Sequence, residues 1–161
     1  MASERATALA DDFASVNEDA VAFARSCGDE DWMVVVPGEG WTVGVLLHHI
    51  AEGHAHGLEW LAAMASGQPV TDTAEGIDDQ NAEHARRAAS VDRAETVELL
   101  VRNGTALEAA LRALSDVELD TLAPFGPAGG RELPTEALAA VAARHAREHL
   151  GHARDAVDGA L

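Results

Sequence analysis

Eight histidines stand in 161 residues, and seven of them fall in two groups: His48, His49, His54 and His56 in one stretch, and His145, His149 and His152 in another. Imidazole titrates near neutral pH, relays protons and binds transition metals, so this grouping points first to metal or proton-transfer chemistry. On a helix, residues four apart differ by ~40° of rotation and residues seven apart by ~20°, so His145, His149 and His152 share one stripe. Leu138, Val141, Ala142 and Ala156 belong to the same stripe, whereas Arg144, Arg147, Glu148, Arg154 and Asp155 fall mainly off it. Three imidazoles therefore sit on the side that should turn inward. Burying such rings is unfavourable unless their nitrogens find partners, and a divalent cation satisfies several together. The His145/His149 pair directs two nitrogens at one point roughly 2 Å from each, as a metal requires.

The earlier group supplies a matching face. His49, Gly53, His56 and Trp60 lie close to one line beside Leu46 and Ile50, and the glycines at 53 and 57 leave a gap there. The expected result is a pocket between two helices, floored by backbone and walled by Trp60, with room for an ion and a small ligand. His48 is rotated ~100° from His49 and cannot reach the same ion, so it packs or faces solvent. His54 and His56 are expected to be solvated or hydrogen-bonded, His152 to sit at the pocket rim or behind a ligand, and His84 to lie at the surface. The run His145 to His149 also matches the H-x-x-E-H pattern of inverted zinc peptidases. Those enzymes take a further ligand well downstream, and only twelve residues follow His149, so Glu148 reads as an exposed helix residue.

These residues need helices to position them. Leu9, Phe13, Val16, Ala20 and Phe23 recur at helical spacing and Gly28 stops the pattern, which predicts a first helix from near Ser3 to Cys27. Residues Gly28 to Trp41 read as a crossover loop with some extended character around Val34-Val35-Val36. Thr42 caps a second helix from Val43 to about Ser66, ended by Gly67-Gln68-Pro69. A third helical region spans Gly76 to Leu114, with a break near Ser90 to Asp92, and its second half carries Val97, Leu100, Val101, Leu107, Leu111 and Leu114. Ser115 to Leu133, rich in Pro and Gly, reads as a loop with one short turn. Pro134 opens a last helix running to about Asp158. Each amphipathic stripe must be buried against another, so the expectation is an all-α four-helix bundle with a crossover connection, one domain over residues 1–161.

Composition narrows the partners. The eleven basic residues are all Arg against 28 carboxylates, a net charge of −17. Such a surface repels phosphate backbones and anionic lipid, which excludes nucleic-acid and membrane-surface binding as expected functions. Met1-Ala2-Ser3-Glu4-Arg5 lacks the cationic start and apolar core of a secretory signal, and no apolar run reaches the ~20 residues of a bilayer span. A single cysteine, Cys27, permits no internal disulfide and reads as a small buried group near a helix end. The expected location is the cytoplasm.

The string Pro37-Gly38-Glu39-Gly40-Trp41-Thr42-Val43, with His49 eight residues after Trp41, resembles the entry to the second helix of the DinB-like superfamily. The run His145-Ala146-Arg147-Glu148-His149-Leu150-Gly151-His152 resembles its later signature, and Ile77-Asp78-Asp79-Gln80-Asn81 the start of its third helix. The superfamily includes metal-dependent thiol transferases and the metal-binding domain of mycothiol-dependent maleylpyruvate isomerases. The resemblance implies metal ligands at His49, His145 and His149 with water completing the shell, and a homodimer; imidazole ligands suit zinc, nickel, iron and copper, of which zinc or nickel is expected. The isomerases carry Glu where this chain has His145, a departure from their pattern. The expected function is a transferase or isomerase joining a low-molecular-weight thiol, such as mycothiol, to an electrophile, with His56 or His152 moving the thiol proton. A non-catalytic structural or sensing metal module is the alternative.

Overall fold

The computed structural model describes residues 3–160; the Met1-Ala2 start of the segment considered for a leader lies outside them. Four long helices build the frame: α1 (Glu4–Ser26), α3 (Val43–Ala65), α5 (Arg93–Ala113) and α7 (Thr135–Ala160). Each begins where its sequence offers an acceptor for unpaired amides or a chain-stiffening residue. The Ser3 hydroxyl accepts from the Ala6 amide, Thr42 from Val45, and Asp92 from Glu95. Between them lie the short α2 (Asp29–Trp32), α4 (Ala74–Arg87) and α6 (Asp116–Asp120).

The long helices pack in the cyclic order α1, α5, α3, α7, so α1 and α3 face each other across a diagonal, and so do α5 and α7. Consecutive long helices α1 and α3 are thus joined by a crossover, as expected for this bundle. Phe13, Leu46, Leu47, Ile50, Leu100, Leu107, Leu111 and Leu150 are fully buried on the shared axis. Burying each such side chain contributes about 1.5–3 kcal/mol. Among the described residues no helix is long and apolar enough to cross a membrane.

The long helices keep the expected bounds within a few residues, and the third region divides at residues 88–92 into α4 and α5. The connections differ more. Residues 28–41 contain α2, whose Trp32 is buried and donates its indole N–H to the Val91 carbonyl at 3.1 Å. The chain then forms a bridge between Val35 and Thr42, closed by a turn in which Gly38 and Gly40 take φ of 85° and 71°. These left-handed values suit glycine, and they hold Glu39 between them at a fixed angle. Cys27 is buried, and burial, followed by the nearby Asp31 carboxylate, pushes its thiol pKa up to about 11.

Residues 115–133 are more ordered than a loop. Ser115 and Glu118 form a reciprocal cap that starts α6. The antiparallel strands β1 (Leu122–Phe125) and β2 (Arg131–Pro134) then pair Ala123 with Leu133 and Phe125 with Arg131. Pro134 therefore ends a strand, and α7 begins one residue later. Strands of four residues interrupted by Pro124 carry too little alternation to announce themselves. Tertiary contacts stabilise them: Val70 donates to the Pro124 carbonyl at 3.0 Å, and the Gly126 amide donates to Val70 at 2.8 Å. Ala123, Val70, Met64 and Leu138 form a second small core beneath this hairpin.

Gly44, in the first turn of α3, shows how tightly α2 is seated: a Cβ there would lie 2.3 Å from Trp32 Nε1. Overpacking outweighs the helix propensity that alanine adds. Gly44→Ala is expected to lower unfolding free energy by about 1–3 kcal/mol in a denaturant titration. An unchanged or more stable variant would show that Trp32 is not held against this helix.

Candidate metal centre

His49 lies on the second turn of α3, and His145 and His149 stand one turn apart on α7, the helix packed against it. The structure brings the three side chains together. One ring nitrogen from each lies within 4.8 Å of the others. Ring centroids are 5.2 Å apart for His49 and His145, 5.1 Å for His49 and His149, and 4.5 Å for His145 and His149. Gly53 makes the approach possible, since a Cβ there would stand 3.1 Å from His145 Cε1.

The donors suit a divalent ion. Burial, followed by repulsion from His145 and His149, depresses the His49 pKa from 6.5 to about 3, and burial with His149 depresses that of His145 to about 4. Both rings are therefore neutral near pH 7, the form that ligates metal. Neither accepts or donates a hydrogen bond within the described residues, whose histidine bonds involve positions 48, 54, 84, 149 and 152. Two half-desolvated imidazoles thus face one another with lone pairs uncommitted, which a shared cation would satisfy.

Glu39 completes the arrangement, and the motif reading gave it no role. Its Oε1 accepts from His149 Nδ1 at 3.2 Å and from His152 Nδ1 at 3.1 Å. With Nδ1 donating, His149 keeps its lone pair on Nε2, the tautomer a metal ligand needs. The available signal was Glu39's place in Gly38-Glu39-Gly40, a turn that aims one carboxylate. Trp41 is the other unassigned contributor, its ring edge 5.1 Å from His49 and 5.8 Å from His84 between centroids.

A cavity of about 440 Å³ opens beside the triad, its wall mainly apolar and drawn from α3, α4, α5, α7 and the hairpin. Trp60 is on that wall. Its indole N–H donates to Asp72 at 2.7 Å and its ring meets Phe125 edge-on at 5.5 Å, so it turns an apolar face to the space. His56 is exposed, stacks on Trp60 at 6.5 Å and lines the cavity; His152 is exposed and lies outside the lining, behind Glu39. His54 is buried and hydrogen-bonded, 3.0 Å from Asn17 Oδ1. Glu148 is exposed and outside the cavity. His84 corrects the expectation of a surface residue: it is 3 % exposed, because α4 lays that one side chain against α3 next to His48.

Three inward-facing imidazoles beside an apolar cavity, held between two helices of a four-helix bundle, define a candidate metal-site bundle protein. Residues 12–153 match the DinB superfamily, and the chain belongs to that family. The fold is also similar to a solved structure, YfiT from Bacillus subtilis, described as a probable metal-dependent hydrolase with an unusual four-helix bundle topology. The TM-score is 0.76 at 18 % identity, over 94 % of this chain and 87 % of that one. No curated protein matches the sequence.

The depressed pKa values set a pH window for the metal-free chain. The unfolded chain takes up protons at its histidines near pH 6.5, whereas folded His49 and His54, both near 3, and His145, near 4, resist protonation. Their contribution to stability is full above pH 6.5 and is lost as pH falls toward 4. Melting temperature without metal should therefore decline through this window, before most carboxylates titrate, and His145→Gln should shallow the decline. A flat profile down to pH 4 would contradict the burial of these rings.

Proposed function

We propose that this DinB superfamily member is a metal-dependent enzyme of small molecules, with His49, His145 and His149 holding one zinc or nickel ion and Trp60 packing against the substrate. The observation that carries the reading is the position of the triad at the wall of a largely apolar cavity of about 440 Å³. A structural ion needs no such space, whereas a reacting pair of small molecules does. Three nitrogen ligands would leave coordination positions open. When bound, a divalent ion there would supply Lewis acidity toward a coordinated thiol or water.

The side chains divide the remaining work. Glu39 fixes the His149 ring and its tautomer. Trp60, Leu138, Ala142 and Phe125 exclude water and receive the apolar part of the substrate. His56, on the cavity wall, is better placed than His152 to accept the proton that a thiol gives up. Transfer of a low-molecular-weight thiol such as mycothiol to an electrophile, or isomerisation through such a thiol, is the leading reaction. Hydrolysis is the second reading, favoured by the description of the structurally similar YfiT.

Two measurements separate these readings. Chain reloaded with zinc or nickel should consume mycothiol, bacillithiol or glutathione with at least one of a panel of electrophiles, and His145→Ala should abolish both that turnover and one equivalent of bound metal. Glu39→Gln should retain the fold while weakening metal binding roughly 10- to 100-fold by chelator competition. Turnover of esters or amides without thiol would select hydrolysis. A loaded protein inert in both panels, with metal removal costing only thermal stability, would sink the enzymatic proposal in favour of a structural or sensing ion.

A further inference from the structure

Next to His49, whose ring centroid is 5.5 Å from that of His84, lies a second cluster of donors that the triad does not use. His48 and Glu52 stand one turn apart on α3, and His84 reaches them from α4. His48 Nδ1 is 2.9 Å from His84 Nε2, Glu52 Oε2 is 3.9 Å from His84 Nε2, and one donor atom from each residue lies within 4.8 Å of the others. The group is not a surface accident. His84 is 3 % exposed, the one buried side chain of α4 among the described residues, and its Nδ1 is buried without any hydrogen-bond partner.

A hydrogen bond between two neutral imidazoles accounts for only part of this. That bond uses His48 Nδ1 and His84 Nε2 and leaves the Glu52 carboxylate, 3.9 Å from the same Nε2, outside it. Two imidazoles and a carboxylate from an i, i+4 pair and a neighbouring helix form a donor set for a borderline divalent cation. Ligands about 2.0–2.1 Å from a tetrahedral ion stand roughly 3.3–3.4 Å apart, so the 2.9 Å nitrogen pair need open by only a few tenths of an ångström. Coordination through Nε2 would fix the proton of His84 on Nδ1, which the ion itself leaves without a partner. Arg87, 3.7 Å from Glu52, is the one nearby cation, and its side chain is 59 % exposed and free to turn into solvent.

We propose that His48, Glu52 and His84 form a second divalent-cation site, distinct from the triad, whose ion clamps α4 onto α3. The clamp would act on the cavity without touching it, because α4 contributes Ile77, Gln80 and Asn81 to the wall. Its occupant would set how firmly that wall is held, and so how readily small molecules enter.

Zinc titration of the full, chelator-stripped chain tests this independently of the triad. His145→Ala disables the triad and should still bind one zinc per chain; His149→Gln serves in its place if that variant folds poorly. Adding Glu52→Gln or His48→Gln to this background should weaken the remaining site on the order of 100-fold. Zinc should slow amide exchange across residues 74–87 in His145→Ala and leave it unchanged once Glu52→Gln is added. A His145→Ala chain that binds no zinc, or binds it with indifference to Glu52→Gln and His48→Gln, would overturn the site and reduce the cluster to a hydrogen-bonded pair. Failure of the triad reading looks different: His145→Ala would then cost the wild-type chain no metal, while Glu52→Gln still removed an equivalent.

Discussion

Taking most of an imidazole out of water without giving its nitrogens a protein partner is unfavourable, and α3 and α7 bring His49 and His145, both partly buried, into that situation at one interface. Burial is the largest cause of both depressed pKa values; repulsion from His145 and His149 lowers that of His49 further, and repulsion from His149 that of His145. The rest of the bundle must offset this arrangement. The buried leucines of α3, α5 and α7, with Phe13 and Ile50, supply the apolar area that does so, and they hold the two helices at a separation where the rings meet. A shared cation would convert the unfavourable arrangement into a bound one, which gives the triad its chemical sense.

The surroundings of the triad are built for close approach and fixed orientation. Gly53 gives His145 room that any side chain would fill. The turn at Gly38 and Gly40 lends no hydrophobic area, yet it delivers Glu39 to both His149 and His152 across more than a hundred residues of chain. Trp41 closes the side between His49 and His84. A short connection near the start of α3 thus governs the ring geometry of residues near the end of the chain.

The diagonal placement of consecutive long helices has its own consequence. Since α1 and α3, and α5 and α7, do not neighbour each other directly, the linking segments must cross an end or flank of the bundle, and they become walls. The hairpin of β1 and β2 docks on Val70 and carries Phe125 to Trp60. The helix α4, which links the neighbouring α3 and α5, adds to these walls and lies over α3 with a single buried side chain, His84. The cavity is thereby enclosed partly by elements with little core of their own, which are the elements most easily loosened or secured.

The amino-acid sequence alone determined the long helices, their inward stripes and the grouping of His49 with His145 and His149 on facing sides. Those features follow from a 3.6-residue period that every local stretch obeys, and the family resemblance in Trp41-Thr42 and His145 to His152 pointed to the same residues. Only the tertiary structure decided the hairpin at 122–134, the roles of Glu39 and Trp41, and the burial of His84. Each of these depends on partners distant in the chain: Val70 for the strands, His149 for Glu39, His48 for His84. Periodicity reports which face of an element turns inward, but which residue of another element waits there is settled by packing, and packing is a property of the whole chain.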